Sequence, residues 1–284
     1  RWSPFAEMTV HFRVLYACFA ALAVLLAVIT RQRVLTALSA ALLVWALGGI
    51  VPWYMGAHSS EPRDGTPLRV LTANVSLHNQ ELDKLSELFR SEDPDLVFLQ
   101  ETNAAWFAAL RDVYPHRVEV PHRHYFGLAL YSRFPIQNAQ YDDPADGDVP
   151  LLRADIDVNG CLVHVVNLHI PSPEARGLMQ VRLTQYEWLA EHVSDRNGGI
   201  IVAGDFNGTM WSPLFSRVVK GGGLANARDG YGILPTWFPL GGSLHLLPLD
   251  HVLVGGLSVA NTRLGESIGS DHNPLIVDLV LPPC

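Results

Sequence analysis

The pattern of apolar and polar positions divides the chain into two unlike parts. Val14 to Thr30 contains no charged residue, Arg31-Gln32-Arg33 interrupts, and Val34 to Gly56 is again uncharged. A bilayer-spanning helix needs about 17–25 mostly apolar residues, and a helix packed in a soluble core is normally amphipathic rather than apolar all round. The pattern predicts a membrane anchor over residues 1–58, with two transmembrane helices at about 14–30 and 34–56. A cleaved leader would supply one such run, not two. Trp53 and Tyr54 suit a membrane interface at the end of the second run. The two arginines of the turn place it in the cytoplasm by the positive-inside rule. Everything after Gly56 is then expected on the extracytoplasmic face of a multi-pass cell-membrane protein. The chain opens on Arg1 rather than Met, and an upstream helix could precede it. Residues 59–67, SSEPRDGTP, read as a linker.

From Leu68 to Cys284 the periodicity changes. Apolar runs rich in β-formers predict strands at 68–76, 95–101, 126–133, 151–158, 161–169, 198–207, 249–256 and 274–281. Helical spacing occurs between them. Leu82, Leu85, Leu88 and Phe89 recur at helical intervals before Pro94, 173–195 is a longer helical stretch, and SPLFSRVVKGGG ends on glycine. Asn159-Gly160 signals a hairpin, which excludes a purely parallel sheet. Strands interleaved with helices exclude an all-β sandwich. The expected architecture is an α/β sandwich with mixed sheets.

Charge narrows the partners. After residue 60 the chain carries 16 basic and 27 acidic residues, and its lysines are Lys84 and Lys220 alone. A protein that follows a nucleic-acid backbone usually shows a basic stripe, so this balance counts against a polymeric DNA or RNA substrate. Cys18, Cys161 and Cys284 are far apart and odd in number. They give no disulfide framework or zinc spacing and read as small buried or terminal residues.

The candidate chemistry lies at the ends of the predicted strands: Asn74, Glu101, His169, Asp205 with Asn207, Asp250, and Asp271 with His272. Any one of these suits a cap or turn. Together they supply oxygen ligands for a hard cation, a carboxylate able to deprotonate water and imidazoles able to donate to phosphate oxygens. Asp205 and Asn207, two apart on an extended chain, share a face.

The ordered series LTANV, FLQET, NLH, GDFN, LDHVLV and GSDHNP resembles the endonuclease/exonuclease/phosphatase superfamily from Leu68 to the C-terminus. The resemblance implies a four-layer α/β sandwich with two packed mixed β-sheets, here preceded by the two transmembrane helices. It implies Glu101 as the principal Mg²⁺ ligand, with Mn²⁺ an alternative ion, Asn74 beside it and Asp271 as a further metal contact. It implies Asp205 orienting or deprotonating the attacking water, and Asn207 stabilising the pentacoordinate phosphorus. His272 would contact phosphate, held by Asp250, and His169 would protonate the leaving group. Tyr125, Thr236 and Trp237 are the implied substrate contacts, the last two within LPTWFP at 234–239, and His251 reads as structural. The membrane-tethered layout resembles the subgroup of teicoplanin-resistance proteins. That implies a metal-dependent hydrolase of a lipid phosphate such as undecaprenyl diphosphate. A surface nuclease, a phospholipid or sphingomyelin phosphodiesterase and a catalytically silent binding protein are the alternatives.

Overall fold

The computed structural model describes residues 4–56, 64–122, 124–175, 177–194, 199–237 and 246–284. Among the described residues, seven helices and twelve strands follow in chain order: α1 (Pro4–Val10), α2 (Arg13–Ile29), α3 (Arg33–Gly48), β1 (Thr66–Asn74), α4 (Leu82–Glu92), β2 (Leu96–Gln100), α5 (Ala104–Leu110), β3 (His116–Val120), β4 (Leu128–Ser132), β5 (Ile136–Asp142), β6 (Leu151–Val158), β7 (Cys161–His169), α6 (Met179–His192), β8 (Ile200–Asp205), α7 (Pro213–Gly222), β9 (Ala225–Asn226), β10 (Asp250–Gly255), β11 (Ser258–Leu264) and β12 (Leu275–Leu281). A short 3-10 turn spans Val51–Tyr54.

The strands form two six-stranded mixed sheets, ordered β11-β12-β1-β2-β4-β3 and β5-β6-β7-β8-β10-β9. Each holds one parallel pair near its centre, β1 with β2 and β7 with β8, flanked by antiparallel neighbours. Side chains alternate between faces with period two. Leu68 and Val70 of β1 enter the core between the sheets, as do Ile201 and Ala203 of β8. Leu71 and Ala73 turn outward onto a layer with Leu85, Leu88 and Phe89 of α4 and Trp106 of α5. Ile200 and Val202 turn outward onto Leu189 of α6 and Phe215 and Val218 of α7. Three apolar layers thus separate four structural ones, as expected.

Local sequence sets the helix ends. Asn103 caps α5 by accepting from the backbone of Ala105 and Trp106, and Ser212 caps α7 by accepting from Leu214 and Phe215. Gly223 ends α7 in the left-handed conformation, and Asp93 does the same for α4 just before Pro94.

The N-terminal part corrects the anchor as expected from sequence. Both apolar runs are helical, but α2 has 17 residues and α3 has 16. At 1.5 Å per residue each is about 25 Å long, short of a hydrocarbon core of about 30 Å. Among the described residues no helix is long and apolar enough to cross a membrane. The second run stops early because Gly48-Gly49 ends α3 and Pro52 opens the 3-10 turn. The two helices pair through small buried residues, Ala20 and Ala27 on α2 and Ser39 and Ala46 on α3. Their outer faces expose Phe19, Leu22, Leu25, Ile29, Val34 and Leu38 among others.

The hairpin base is bonded to the sandwich. Trp211 Nε1 donates to Gly49 O at 2.7 Å, and Gly232 N donates to Trp53 O at 2.9 Å. Helix α1, absent from the sequence reading, lies against the sandwich through Glu7 and His11, as described below. Most of the expected linker falls outside the described residues, and β1 takes its end from Thr66.

The cysteines also require correction. Cys161 and Cys284 form a disulfide with a Cα–Cα separation of 5.8 Å, while Cys18 is free and exposed. Chain separation hid a pair that the sheets bring together: Cys161 opens β7 and Cys284 follows β12, so the bond ties one sheet to the other. Closing a loop of this length is expected to stabilise the fold by about 2–4 kcal/mol. Urea unfolding of Cys284→Ser against the oxidised parent measures this, and coincident curves would show that the bond does not constrain the fold.

Candidate active site

The two parallel strand pairs end on the same side of the sandwich and deliver the polar residues there. Asn74 is the last residue of β1, Glu101 follows β2, His169 ends β7 and Asp205 ends β8. His169 and Asp205 are register partners, and Asp205 lies opposite Asp250 of antiparallel β10. A loop returning before β12 brings His272. Gly204 makes the β7–β8 approach possible: its φ is +143°, and a Cβ there would lie 2.1 Å from Leu168 O. Gly127 serves the other sheet, since a Cβ there would lie 2.0 Å from Thr102 O, beside Glu101. Glu101 and Asn207 themselves adopt left-handed backbone, φ 58° and 46°. Such strained conformations concentrate at functional sites.

Asn74 Nδ2 donates to Glu101 Oε1 at 2.9 Å and to Asp205 Oδ2 at 3.1 Å, and its Oδ1 accepts from Ser76 N. Glu101 Oε2 accepts from Leu77 N at 2.9 Å. Two carboxylates from different sheets therefore converge on one amide. Asp205 Oδ1 accepts from Asn207 N at 2.7 Å. Asn207 Nδ2 donates to Ile170 O and lies 3.2 Å from His169 Nε2. His169 Nδ1 faces the Tyr125 carbonyl at 2.9 Å, so Nδ1 carries a proton there. His169 Nε2 lies 3.5 Å from Asp205 Oδ2 and 4.0 Å from Glu101 Oε1.

His272 stands between two buried carboxylates. Its Nδ1 is 2.8 Å from Asp250 Oδ2 and its Nε2 is 3.7 Å from Asp205 Oδ2. Burial works to lower its pKa, but Asp250 and Asp205 overcome this and raise it to about 10. The ring is an imidazolium at neutral pH, with Nε2–H directed to the Asp205 side. Burial raises the Asp205 carboxyl above its ordinary value, against the opposing charge of His272. Burial works the same way on Asp250, yet the charge and hydrogen bond of His272 win and hold it below the ordinary value.

The remaining sequence candidates are placed at different depths. Thr236 is fully buried, and its hydroxyl oxygen accepts from the backbone of Leu249 and Asp250. It supports Asp250 rather than facing the cleft. Trp237 Nε1 donates to Asp271 at 3.0 Å, and its ring centroid is 6.4 Å from that of His272. Asp271 is exposed and engaged with Trp237 and Ser270, outside the Asn74–Glu101–Asp205 hydrogen-bonded set. The Tyr125 ring is half-exposed at the rim beside His78, and its backbone carbonyl orients His169. His251 is structural as expected: Nε2 faces Gly208 O and the ring packs on Phe215.

Several supporting residues escaped the sequence reading. Ser270 Oγ donates to Asn74 O at 2.7 Å and accepts from His272 N, linking two site residues. Arg228 donates to the backbone carbonyls of Asp250 and Leu234 from full burial. Gln100 and Asn167 bond across the inter-sheet core at 2.8 Å, directly beneath Glu101 and His169. Asn167 and Ser270 lie inside quoted motifs, so their signal was present. Arg228 had no local signal.

The donor chemistry fits a divalent cation. Glu101 and Asp205 present hard carboxylate oxygens to one small space around the Asn74 amide, whose own oxygen accepts from Ser76 N. Asp205, Asp250 and His272 also have ligand atoms within 4.8 Å of one another. In that trio His272 Nδ1 already bonds Asp250 Oδ2 at 2.8 Å, so Glu101 and Asp205, with Asn74 beside them, are the better holders. A divalent cation bound there would neutralise phosphate charge.

Two buried histidines give a pH prediction. Burial lowers His251 and His11 to about 3 each, from 6.5, so the folded state keeps both neutral where the unfolded chain takes up protons. Their stabilising effect is complete above pH 6.5 and is lost as pH falls toward 3. His272 has the opposite sign, complete below 6.5 and lost as pH rises to about 10. Stability should therefore peak near neutrality and fall on acidification by up to about 1.4 kcal/mol per pH unit per histidine. Thermal unfolding between pH 7 and pH 5 checks it, and an unchanged Tm over that window would refute the neutral assignment.

An α/β sandwich with carboxylates, amides and an Asp–His pair gathered at the ends of its central strands defines a class, the metal-dependent phosphoester hydrolases. A family model described as the Endonuclease/Exonuclease/phosphatase family matches residues 71–272, and the chain belongs to that family. A UPF0294 protein of Vibrio vulnificus (strain YJ016) is 34% identical over 127 residues, which is 44% of this chain and 42% of that protein. The match thus spans less than half of that relative's length. Among solved structures, the 3'-5' exonuclease NExo from Neisseria meningitidis superposes with TM-score 0.60 at 23% identity, covering 74% of this chain and 98% of that one. D. rerio TDP2, humanized by 14 mutations, superposes with TM-score 0.61 at 19% identity, covering 75% and 98%. At these identities the likeness is one of fold.

Proposed function

We propose that this chain is a membrane-associated, Mg²⁺-dependent phosphohydrolase that uses water to cleave a lipid phosphate such as undecaprenyl diphosphate. The observation that carries the hydrolytic reading is the convergence of Glu101 and Asp205 on Asn74, with the Asp250–His272 pair alongside. Mn²⁺ would suit the same donors. Asp205 takes a proton from the attacking water, whose oxygen enters in line with the leaving group. His272 Nε2–H and Asn207 Nδ2 donate to phosphoryl oxygens, and protonated His169 returns a proton to the leaving oxygen. Developing charge is then met by donors fixed in advance.

Three features support a lipid and a membrane. The α2–α3 hairpin exposes a contiguous apolar surface, with Phe19, Ile29, Val34 and Leu38 each about two-thirds exposed or more. A hairpin too short to cross fits insertion of its apolar faces into one side of a bilayer. The disulfide suits an oxidising compartment, hence an extracytoplasmic catalytic domain. The exonuclease named among the structural neighbours favours a nuclease as the second reading; the scarcity of lysine and acidic balance weigh against it.

Phosphate release from undecaprenyl diphosphate in detergent micelles, by the full chain with Mg²⁺, with EDTA and as Glu101→Ala, tests the proposal. Metal-dependent release lost in the variant is expected. A folded, metal-binding protein without release would reject this substrate, and hydrolysis of single-stranded DNA by the same preparation would establish the second reading. Failure of the protein to float with lipid vesicles would remove the membrane element.

A further inference from the structure

A cavity of about 230 Å³ adjoins the catalytic centre, and part of its wall comes from the N-terminal segment. Asn207 stands on it, while Met8, Phe12, Pro173, Leu247 and Leu249 make it largely apolar. The segment is fixed to the catalytic loop. Glu7 is completely buried, with its Oε1 accepting from Arg182 at 3.1 Å and from Ser212 at 2.7 Å. His11 Nδ1 accepts from Thr209 N at 3.2 Å, and Thr209 is two residues beyond Asn207. His11 also borders the cavity, and its buried Nε2 has no hydrogen-bond partner. Immediately after Phe12 the chain enters α2, whose exposed apolar face begins within two turns, at Phe19.

We propose that this cavity is the subsite for the hydrocarbon chain of the substrate, so that residues 8–12 form part of the binding site and select phosphates carrying an apolar group. The inference rests on the phosphohydrolase reading and adds the shape of its substrate. A phosphate held at Asn207 and Asp205 places its ester substituent against Met8 and Phe12, where an alkyl chain is removed from water. His11, Ser172, Glu174 and Asn207 are the polar members of the lining, so a charged or sugar-bearing substituent would meet few partners among the apolar side chains. The mouth adjoins the segment that leads into the hairpin, so a chain extending from a lipid surface reaches the cleft along the protein's own apolar face.

Calorimetric titration of the full chain with n-alkyl phosphates of two to eight carbons, in the presence of Mg²⁺, tests the subsite. Affinity is expected to rise about fourfold per methylene until the cavity is filled. In Met8→Ser and Phe12→Ser that gradient should flatten by at least half. An affinity independent of chain length, or a gradient unchanged in both variants, would overturn the subsite while leaving the phosphohydrolase reading intact. Absence of binding by any alkyl phosphate or by inorganic phosphate, with no effect of Glu101→Ala on Mg²⁺ binding, would overturn both. If the variants fail to fold, a diazirine-bearing alkyl phosphate on the unaltered chain decides: label on residues 8–12 supports the subsite, and label elsewhere rejects it.

Discussion

Asp205→Asn should lower kcat/KM for metal-dependent phosphoester hydrolysis by about 10³-fold while the protein remains folded. The substitution keeps the shape of a side chain that is almost wholly buried at the meeting point of both sheets. One oxygen can still accept from Asn207 N, while the hydrogen bond from Asn74 Nδ2 is lost because an amide NH2 replaces its acceptor, a modest cost in stability. What disappears is the basic carboxylate oxygen within 3.7 Å of His272 Nε2 and 3.5 Å of His169 Nε2. Because burial already opposes ionisation of Asp205, losing its charge should not unfold the protein. Initial rates and a thermal melt on the same preparation separate chemistry from stability. Activity within tenfold of the parent would show that Asp205 is not the base.

The second large effect is structural. Arg182→Met should destabilise the chain by about 3–5 kcal/mol, because it strands the buried carboxylate of Glu7. Both partners are fully buried. Arg182 also donates to Pro171 O and Phe206 O, and Phe206 lies between Asp205 and Asn207. The Phe206 carbonyl keeps a donor in Tyr186, whereas Glu7 keeps the Ser212 hydroxyl and the neutral His11 ring 3.9 Å away. The double variant Glu7→Gln with Arg182→Met should recover most of the loss, since the stranded charge rather than the missing attraction causes it. Urea unfolding of the four proteins gives the coupling. A loss below 1 kcal/mol in the single variant would mean that the N-terminal segment is not packed as described.

The eight strands expected from apolar runs are the eight interior strands of the two sheets. The four missed, β3, β5, β9 and β11, are the four sheet edges. An interior strand is covered on both sides and needs an unbroken apolar or alternating run. An edge strand such as Ile136–Asp142 is exposed along most of its length, and its sequence, IQNAQYD, carries no such signature. Helix α1 was invisible for a related reason: seven residues are too few to show a period, and what holds them is the distant Arg182. The apolar run at 34–56 was overextended because hydropathy counts residues and does not register that Gly48-Gly49 ends the helix.

The sequence by itself determined the mixed α/β sandwich, the interior strands and the roster of polar residues at their ends. These are local properties: a period of two or 3.6, a cap, a polar residue closing an apolar run. Tertiary structure alone decided which of those residues meet. It set Asp205 against Asn74 and His272, placed Thr236 beneath Asp250 instead of in the cleft, left Asp271 at the rim with Trp237, and paired Cys161 with Cys284. It also bonded Glu7 to Arg182 and His11 to Thr209, two residues beyond Asn207. Each of these depends on distances between segments remote in the chain, which are fixed by sheet register and by packing between layers.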